Sequence, residues 1–122
     1  MEQEPKPGQV RLPVFRVLWH AEVKKDLSKI PTSVVNFIVR AADYRLSLAP
    51  EIIGNPLKGT ASRLWKIRFS GYRIVYTINV SKKEVWVLSV QKRDIVYRDQ
   101  HVQALLRVAI VLHEKFGKSL QP

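Results

Sequence analysis

The chain has 122 residues, of which 46% are hydrophobic, with 5 glycines and 7 prolines, and this is typical of one folded domain rather than a disordered segment. Its formal net charge of +11 favours polyanionic partners, such as nucleic acid, a ribosomal surface, an anionic membrane or an acidic protein. The absence of cysteine excludes disulfides and thiolate metal sites. A basic surface without a dedicated partner is the alternative that charge alone leaves open.

The first fifteen residues lack a basic segment followed by an apolar one, and no apolar run in the chain approaches the roughly 20 residues that span a bilayer. We therefore expect a cytoplasmic protein with no membrane association. His101 and His113 are separated by twelve positions on a predicted helix, which does not place them on one metal-binding face. We expect no metal site and no small-molecule cofactor.

The N-terminal part of the chain predicts a leader, a strand and a helix. Residues 1–12 are rich in charge, proline and glycine, which predicts a flexible leader. Residues 13–19 alternate in period two and predict a strand, with Arg16 partly exposed. Residues 20–30 place their apolar side chains on one stripe and predict a short amphipathic helix.

A second helix is predicted from Thr32 or Ser33, either of which can supply the N-cap oxygen, to about Ser47. Ala49 precedes Pro50 and is therefore pushed out of the helical region, which predicts a loop through residue 56. The link between the two helices is short. We expect an antiparallel helical hairpin that packs on a sheet, as a small α+β domain requires.

Three antiparallel strands are predicted at residues 63–69, 73–80 and 85–91. The first alternates cleanly, and its aromatic face is expected to look towards the helices. Ser70 and Gly71 form the first turn, because glycine takes positive φ at little cost, and residues 79–83 form the second. A third helix is predicted from Asp99 to Phe116, with Gly117 beyond its end. Its wide apolar arc must be covered by the sheet or by a partner chain.

Positive charge is concentrated on these strands, because residues 52–93 contain nine cations and one anion, Glu84, for a net charge of +8. Antiparallel connectivity brings Arg68, Arg73 and Arg93 to one edge of the sheet. Lys66 lies on the same face as Arg68, and Tyr97 can fold back over it. Lys82 and Lys83 belong to the distant turn, where cations protect a sheet edge from pairing.

Such a cluster has the groups that cleave RNA through its own 2′-hydroxyl. The reaction needs a base at that oxygen, neutralisation of charge at phosphorus, and an acid at the leaving 5′-oxygen. An arginine fork holds two phosphate oxygens, and a lysine among other cations has a lowered proton affinity. The pattern by itself also fits cations that only position a phosphate. Arg73 is expected to be an exposed cation whose loss costs little stability.

Three segments within residues 15–98, PLKG, LWKIRFSGYRIVYTI and VLSVQKRDIVYR, resemble the toxins of the RelE/ParE superfamily of bacterial toxin–antitoxin modules. The resemblance implies a toxin domain over residues 13–98, with two N-terminal helices packed on an antiparallel sheet. We expect residues 99–122 to form an additional helix and tail outside this domain. RelE-like members of the superfamily cleave messenger RNA in the ribosomal A site, whereas ParE-like members poison DNA gyrase.

The basic cluster looks like the RelE version, and the resemblance then implies a role for each residue. Lys66 is the candidate base, Arg68 and Arg73 stabilise the transition state, Arg93 acts at the leaving group, and Tyr97 stacks on a base. We expect neighbouring cations to contact the RNA: Lys58, Arg63, Lys92 and Arg98. The implied partners are an acidic antitoxin, the ribosome and mRNA. The alternatives are a gyrase inhibitor without nuclease activity and an inactive relative that binds only antitoxin or RNA.

Overall fold

The computed structural model describes residues 14–92 and 99–119, and within them it contains five strands and four helices. The predicted leader, residues 1–12, lies outside the described residues. The elements are, in chain order, β1 (Arg16–Trp19), α1 (Val23–Leu27), α2 (Thr32–Leu48), α3 (Pro50–Ile53), β2 (Asn55–Pro56), β3 (Trp65–Phe69), β4 (Tyr72–Asn79), β5 (Glu84–Lys92) and α4 (Asp99–Ser119).

The strands form one sheet in the order β1-β5-β4-β3-β2. β3, β4 and β5 are an antiparallel meander, and β2 adds to β3 in the antiparallel sense. β1 is parallel to β5. Parallel strands need a long connection, and here the chain passes through three helices and then β2, β3 and β4 before it reaches β5. The α+β architecture predicted from the sequence is confirmed, and the parallel pair is a feature that the pattern did not specify.

The turn between β3 and β4 fixes the register of the meander. Ser70 and Gly71 both have positive φ, 46° and 83°, which is the conformation that matches the twist of a two-residue hairpin. Phe69 therefore pairs with Tyr72, and Arg68 lies directly opposite Arg73. The predicted turn is confirmed.

One face of the sheet packs against α2. Ile38, Ala42 and Leu46 are fully buried on this helix and join a core cluster with Ile67 and Phe69 of β3. The prediction that the aromatic face of β3 looks towards the helices is confirmed.

The other face of the sheet packs against α4. Leu64, Val75 and Leu88 form a second core cluster with Leu105 and Ala109 of this helix. The apolar arc of the C-terminal helix is thus covered by its own sheet, which was one of the two predicted possibilities.

Polar contacts tie α4 to the same face. The Nε2 atom of His101 lies 3.0 Å from Ser89 Oγ, and that of His113 lies 2.8 Å from Thr77 Oγ1. Within the described ranges, no helix is long and apolar enough to cross a membrane.

Several predicted boundaries were wrong. The first helix is only Val23–Leu27 and contacts β5. α2 has Pro31 at its N-cap, without a side-chain cap, because the Pro31 carbonyl accepts the N–H groups of Val34 and Val35. The predicted loop after residue 49 contains the helix α3, since a proline at its first position already has the helical φ.

The third helix was also predicted too short. It continues to Ser119 and passes through Gly117, because glycine within a helix costs only about 1 kcal/mol relative to alanine.

Candidate nucleic-acid interface

Three of the predicted site residues, Lys66, Arg68 and Arg73, line one cleft of about 470 Å³. The cleft lies at the beginning of β2, since Asn55 is one of its lining residues. Among the described residues β2 pairs only with Trp65 and Lys66 of β3, so the outer edge of β3 beyond Lys66 has no strand beside it. The short β2 thus leaves a strand edge open next to the cations, and a ligand can approach there.

Arg73 is buried, with 6% of its surface exposed, which contradicts the expectation of an exposed cation. The reason is topological, because β4 lies between β3 and β5 and both of its faces are covered. Within the described part of the chain, Arg73 has no hydrogen bond or ion pair from its guanidinium. The side chain nevertheless lines the cleft, so an anion that enters the cleft would find a cation that the sheet already holds in place.

Arg68 faces Arg73 across the β3–β4 ladder and is exposed. Like charges directly opposite each other on a sheet repel, and a phosphate between them removes the repulsion. Lys66 lies two residues earlier on the same face of β3 and is half-buried. The arrangement combines two forked donors with an ammonium group beside them, which suits a phosphodiester.

Three of the other predicted RNA contacts, Lys58, Arg63 and Lys92, are not among the residues that line the cleft. Lys92 is exposed and pairs in register with Tyr72, at the sheet end that carries the β3–β4 turn. Lys58 and Arg63 are exposed in the loop between β2 and β3. Arg63 precedes Arg68 by five positions, or roughly 16 Å of extended chain, so this loop lies at the other end of β3.

Arg93, Tyr97 and Arg98 lie outside the described residues. The roles that the sequence analysis gave them remain predictions.

The sequence analysis missed Arg45. This residue lies in the last turn of α2 and lines the same cleft as the three strand cations. Its guanidinium carbon is 4.9 Å from the centroid of the Phe69 ring. Asn55 and Ile53 complete that side of the cleft. The helical period left either Tyr44 or Arg45 on the apolar stripe of α2. Tyr44 is 66% exposed, so the side of the helix nearer the sheet belongs to Arg45.

A polar network supports the strand beside Arg73. Gln91, the cross-strand neighbour of Arg73, donates from its side-chain amide to Asp26 Oδ1 at 2.6 Å. The backbone N–H of Val90 donates to Asp26 Oδ2 at 3.0 Å. Burial raises the pKa of Asp26 above its usual value, although the Val90 N–H, nearby His101 and Ser89 act in the opposite direction. The carboxyl of Asp26 thus anchors α1 to the end of β5.

Both histidines of α4 that face the sheet are perturbed by burial. Burial lowers the pKa of His101, and nearby Asp26 partly offsets this effect. Burial also lowers the pKa of His113, and Arg63 lowers it further. Among the described residues, no group of three or more histidine and acidic side chains is arranged to hold a metal ion.

A tyrosine fixes the wall of the cleft opposite the strand cations. The hydroxyl of Tyr76, which is fully buried on β4, donates to the Pro50 carbonyl at 2.6 Å. Burial strongly raises the pKa of Tyr76, so this phenol stays protonated as a donor. The contact holds α3, and with it Ile53 and Asn55, against the sheet.

Comparison with known proteins identifies relatives of the chain. Residues 17–97 match the family of the ParE toxin of the type II toxin–antitoxin system parDE. The chain is 29% identical over 84 residues to toxin RelG of Mycobacterium tuberculosis, a match that covers 69% of this chain and 97% of that toxin.

Solved structures similar to this chain are also toxins of toxin–antitoxin systems. A chain of the toxin–antitoxin complex RelBE2 of Mycobacterium tuberculosis superposes with a TM-score of 0.61 at 26% identity, covering 68% of this chain and 95% of the other. Escherichia coli toxin RelE, solved with a peptide of antitoxin RelB, has a TM-score of 0.56 at 28% identity, with 69% and 90% covered. The fold, the matched family and these relatives agree, and the chain belongs to the ParE toxin family of type II toxin–antitoxin systems, within the RelE/ParE superfamily.

Proposed function

We propose that this toxin is a ribosome-dependent endoribonuclease that cleaves mRNA in the A site. The observation that carries the proposal is the position of Arg73, a largely buried residue that lines the cleft beside Lys66 and Arg68 without an acidic partner among the described residues. A protein that only presents a basic surface has no need to hold an arginine in a fixed position inside a cleft. An enzyme that stabilises negative charge on a phosphoryl group does.

The proposed reaction uses the substrate's own 2′-hydroxyl. This oxygen loses its proton to Lys66 and attacks the adjacent phosphorus. A 2′-O–P bond forms, the P–O5′ bond breaks, and the products are a 2′,3′-cyclic phosphate and a 5′-hydroxyl. Arg68 and Arg73 bind the equatorial phosphate oxygens, whose charge grows in the transition state. Arg93 donates a hydrogen bond to the leaving 5′-oxygen, which takes its proton from water, and Tyr97 stacks on a base.

The proposal includes the place where the reaction occurs and the protein that controls it. The cleft is open at the edge of β3, so it can take an extended strand of mRNA that the ribosome presents in the cytoplasm. A cognate acidic antitoxin would neutralise the same cations and block RNA entry. Solved relatives of this chain are themselves bound to antitoxins, which supports this partner.

Expression in growing cells tests the proposed function. We expect growth arrest, with mRNA cut at fixed positions within codons. Arg68→Gln should relieve the arrest, since it removes the exposed cation opposite Arg73, whereas Lys82→Gln, at the far turn of the sheet, should not. Arrest with intact mRNA would refute the proposal.

A second candidate function follows from the matched family, which is that of the ParE toxin. A gyrase inhibitor would induce DNA-damage signalling, leave mRNA intact, and remain toxic without Lys66 or Tyr97. The same expression experiment distinguishes the two functions.

A further inference from the structure

The basic cleft has cations on two walls that belong to different layers of the fold. Lys66, Arg68 and Arg73 come from the sheet, whereas Arg45 comes from α2, which packs on the opposite face of that sheet. Among the described residues that line the cleft, none is acidic. The strand cations alone would neutralise a ligand with one negative charge. The additional cation on the helical wall, Arg45, therefore favours a ligand that carries more than one negative charge.

The side chain of Arg45 is held in place by an aromatic ring. Its guanidinium lies over Phe69, a buried residue that ends β3, and Phe37 of α2 contacts the same ring edge-on with centroids 6.3 Å apart. Stacking of this kind leaves the N–H groups in the guanidinium plane free to donate. The ring therefore orients Arg45 without using its hydrogen-bonding capacity.

A role in the helix alone does not account for this placement. A cation in the last turn of a helix interacts favourably with the helix dipole, but any orientation of Arg45 towards solvent would provide that. Within the described part of the chain, Arg45 has no ion pair with a carboxylate. Its charge lies in a cleft that Lys66, Arg68 and Arg73 also line, and a bound phosphate would reduce the repulsion among neighbouring cations.

We propose that Arg45 is a substrate-positioning residue that binds a backbone phosphate of the RNA next to the cleaved linkage. This inference rests on the proposed function and adds to it the path of the substrate. The strand passes from the cations of β3 and β4, over the edge of β3 at Phe69, to the C-terminal end of α2. A chain of consecutive phosphates is the ligand that needs cations on both walls.

Binding of a single-stranded RNA oligonucleotide with 2′-deoxy linkages, which cannot be cleaved, tests the contact by fluorescence anisotropy at several salt concentrations. Arg45→Gln should weaken binding by roughly 10- to 100-fold, as expected for the loss of one charge-assisted hydrogen bond. The slope of log K against log salt should fall by about 0.7, the value for one phosphate contact on a single strand. Arg45→Lys keeps the charge without the fork and should be intermediate.

Arg40 provides the matched control. It is an exposed arginine on the same helix, five residues earlier, and it lines a different groove with Phe37 and Ala41. Arg40→Gln removes the same charge from a side chain that makes no phosphate contact. It should therefore change the affinity by less than twofold and the salt slope by less than about 0.2. Equal effects of the two substitutions would mean a general charge effect and would overturn the inference.

Cleavage of mRNA on programmed ribosomes gives the second readout. Arg45→Gln should raise KM with kcat changed by less than about twofold, since a contact away from the reacting atoms contributes to binding in both the ground and transition states. A loss of kcat alone would overturn the positioning role. If wild-type protein cleaves nothing but Arg45→Gln still weakens RNA binding, the proposed function fails and the RNA contact stands. If Arg45→Gln leaves RNA binding unchanged, the inference about Arg45 is overturned. This holds also where Arg45→Gln weakens the binding of an acidic antitoxin peptide alone.

Discussion

The Tyr76–Pro50 hydrogen bond makes a prediction about how the cleft wall is held. Tyr76→Phe keeps the ring of a fully buried side chain and removes only the donor. The carbonyl of Pro50 then loses its bond from β4. The loss of a buried hydrogen bond costs about 1 to 2 kcal/mol of unfolding free energy, or roughly 4 to 8 °C in Tm for a domain of this size.

Gly54 lies against the same hydroxyl. A methyl group added at this residue would clash with Tyr76 Oη and lie 2.9 Å from Tyr76 Cζ and 3.0 Å from the Lys66 carbonyl oxygen. The backbone of Gly54, with φ −107° and ψ 177°, is extended and open to any residue, so the cost of Gly54→Ala is steric. We expect a loss of about 1 to 3 kcal/mol, as for other overpacked sites.

A double-mutant cycle tests both statements together. In the Tyr76→Phe background the hydroxyl is absent, so Gly54→Ala should cost about 1 kcal/mol less than in the wild type. The close approach to the Lys66 carbonyl persists and keeps the relief partial. Urea unfolding followed by tryptophan fluorescence measures the four stabilities. Additivity within about 0.4 kcal/mol would show that the two residues do not compete for one space and would refute the reasoning.

Two further predictions concern the packing of α4. Leu64→Ala should lower the unfolding free energy by about 2 to 5 kcal/mol, because Leu64 is fully buried beneath α4. The control, Val111→Ala, changes a side chain that is 59% exposed and should alter the unfolding free energy by less than about 0.5 kcal/mol. Similar losses for the two variants in urea unfolding would contradict the packing. The lowered pKa of His113 means that the unfolded chain binds a proton more readily, so the stability from neutral His113 is present above about pH 6.5 and lost as pH falls below it. His113→Gln should flatten that pH dependence, and an unchanged slope between pH 7 and 5 would contradict the burial.

The meander was predictable because its signals are local. Trp65, Ile67 and Phe69 alternate with polar residues, and Ser70-Gly71 supplies the positive φ that a tight hairpin needs. Each signal depends on neighbouring residues and therefore survives in the folded state.

The burial of Arg73 could not be read in the same way. β4 is covered on both faces, so Arg73 and Val75 on one face are as buried as Ile74 and Tyr76 on the other. Period-two alternation distinguishes the two faces of a strand. It does not show whether a second layer of the fold covers the face that carries the polar residues. The helix α4 and the neighbouring strands decide that, and they depend on long-range packing.

The position of Arg45 depends on tertiary structure for a similar reason. Helical periodicity placed it beside the apolar stripe of α2 but gave no information on the crossing of the helix over β3. The contact with Phe69 follows from that crossing. The parallel pairing of β1 with β5 likewise depends on the path of the chain through the helices rather than on the sequence of either strand.

The most direct test of the central claim is cleavage of mRNA on programmed ribosomes by purified wild type, Arg73→Gln and Lys82→Gln. Urea unfolding first establishes that each variant is folded, since Arg73 is buried. The wild type should cut mRNA in the A site, and Lys82→Gln should cut at the same rate within about twofold, because an exposed charge away from the site contributes little. Folded Arg73→Gln should be slower by about 100-fold or more, the usual effect of losing one donor to a transition-state oxyanion. An intact mRNA with wild type, or equal cleavage by folded Arg73→Gln, would contradict the account.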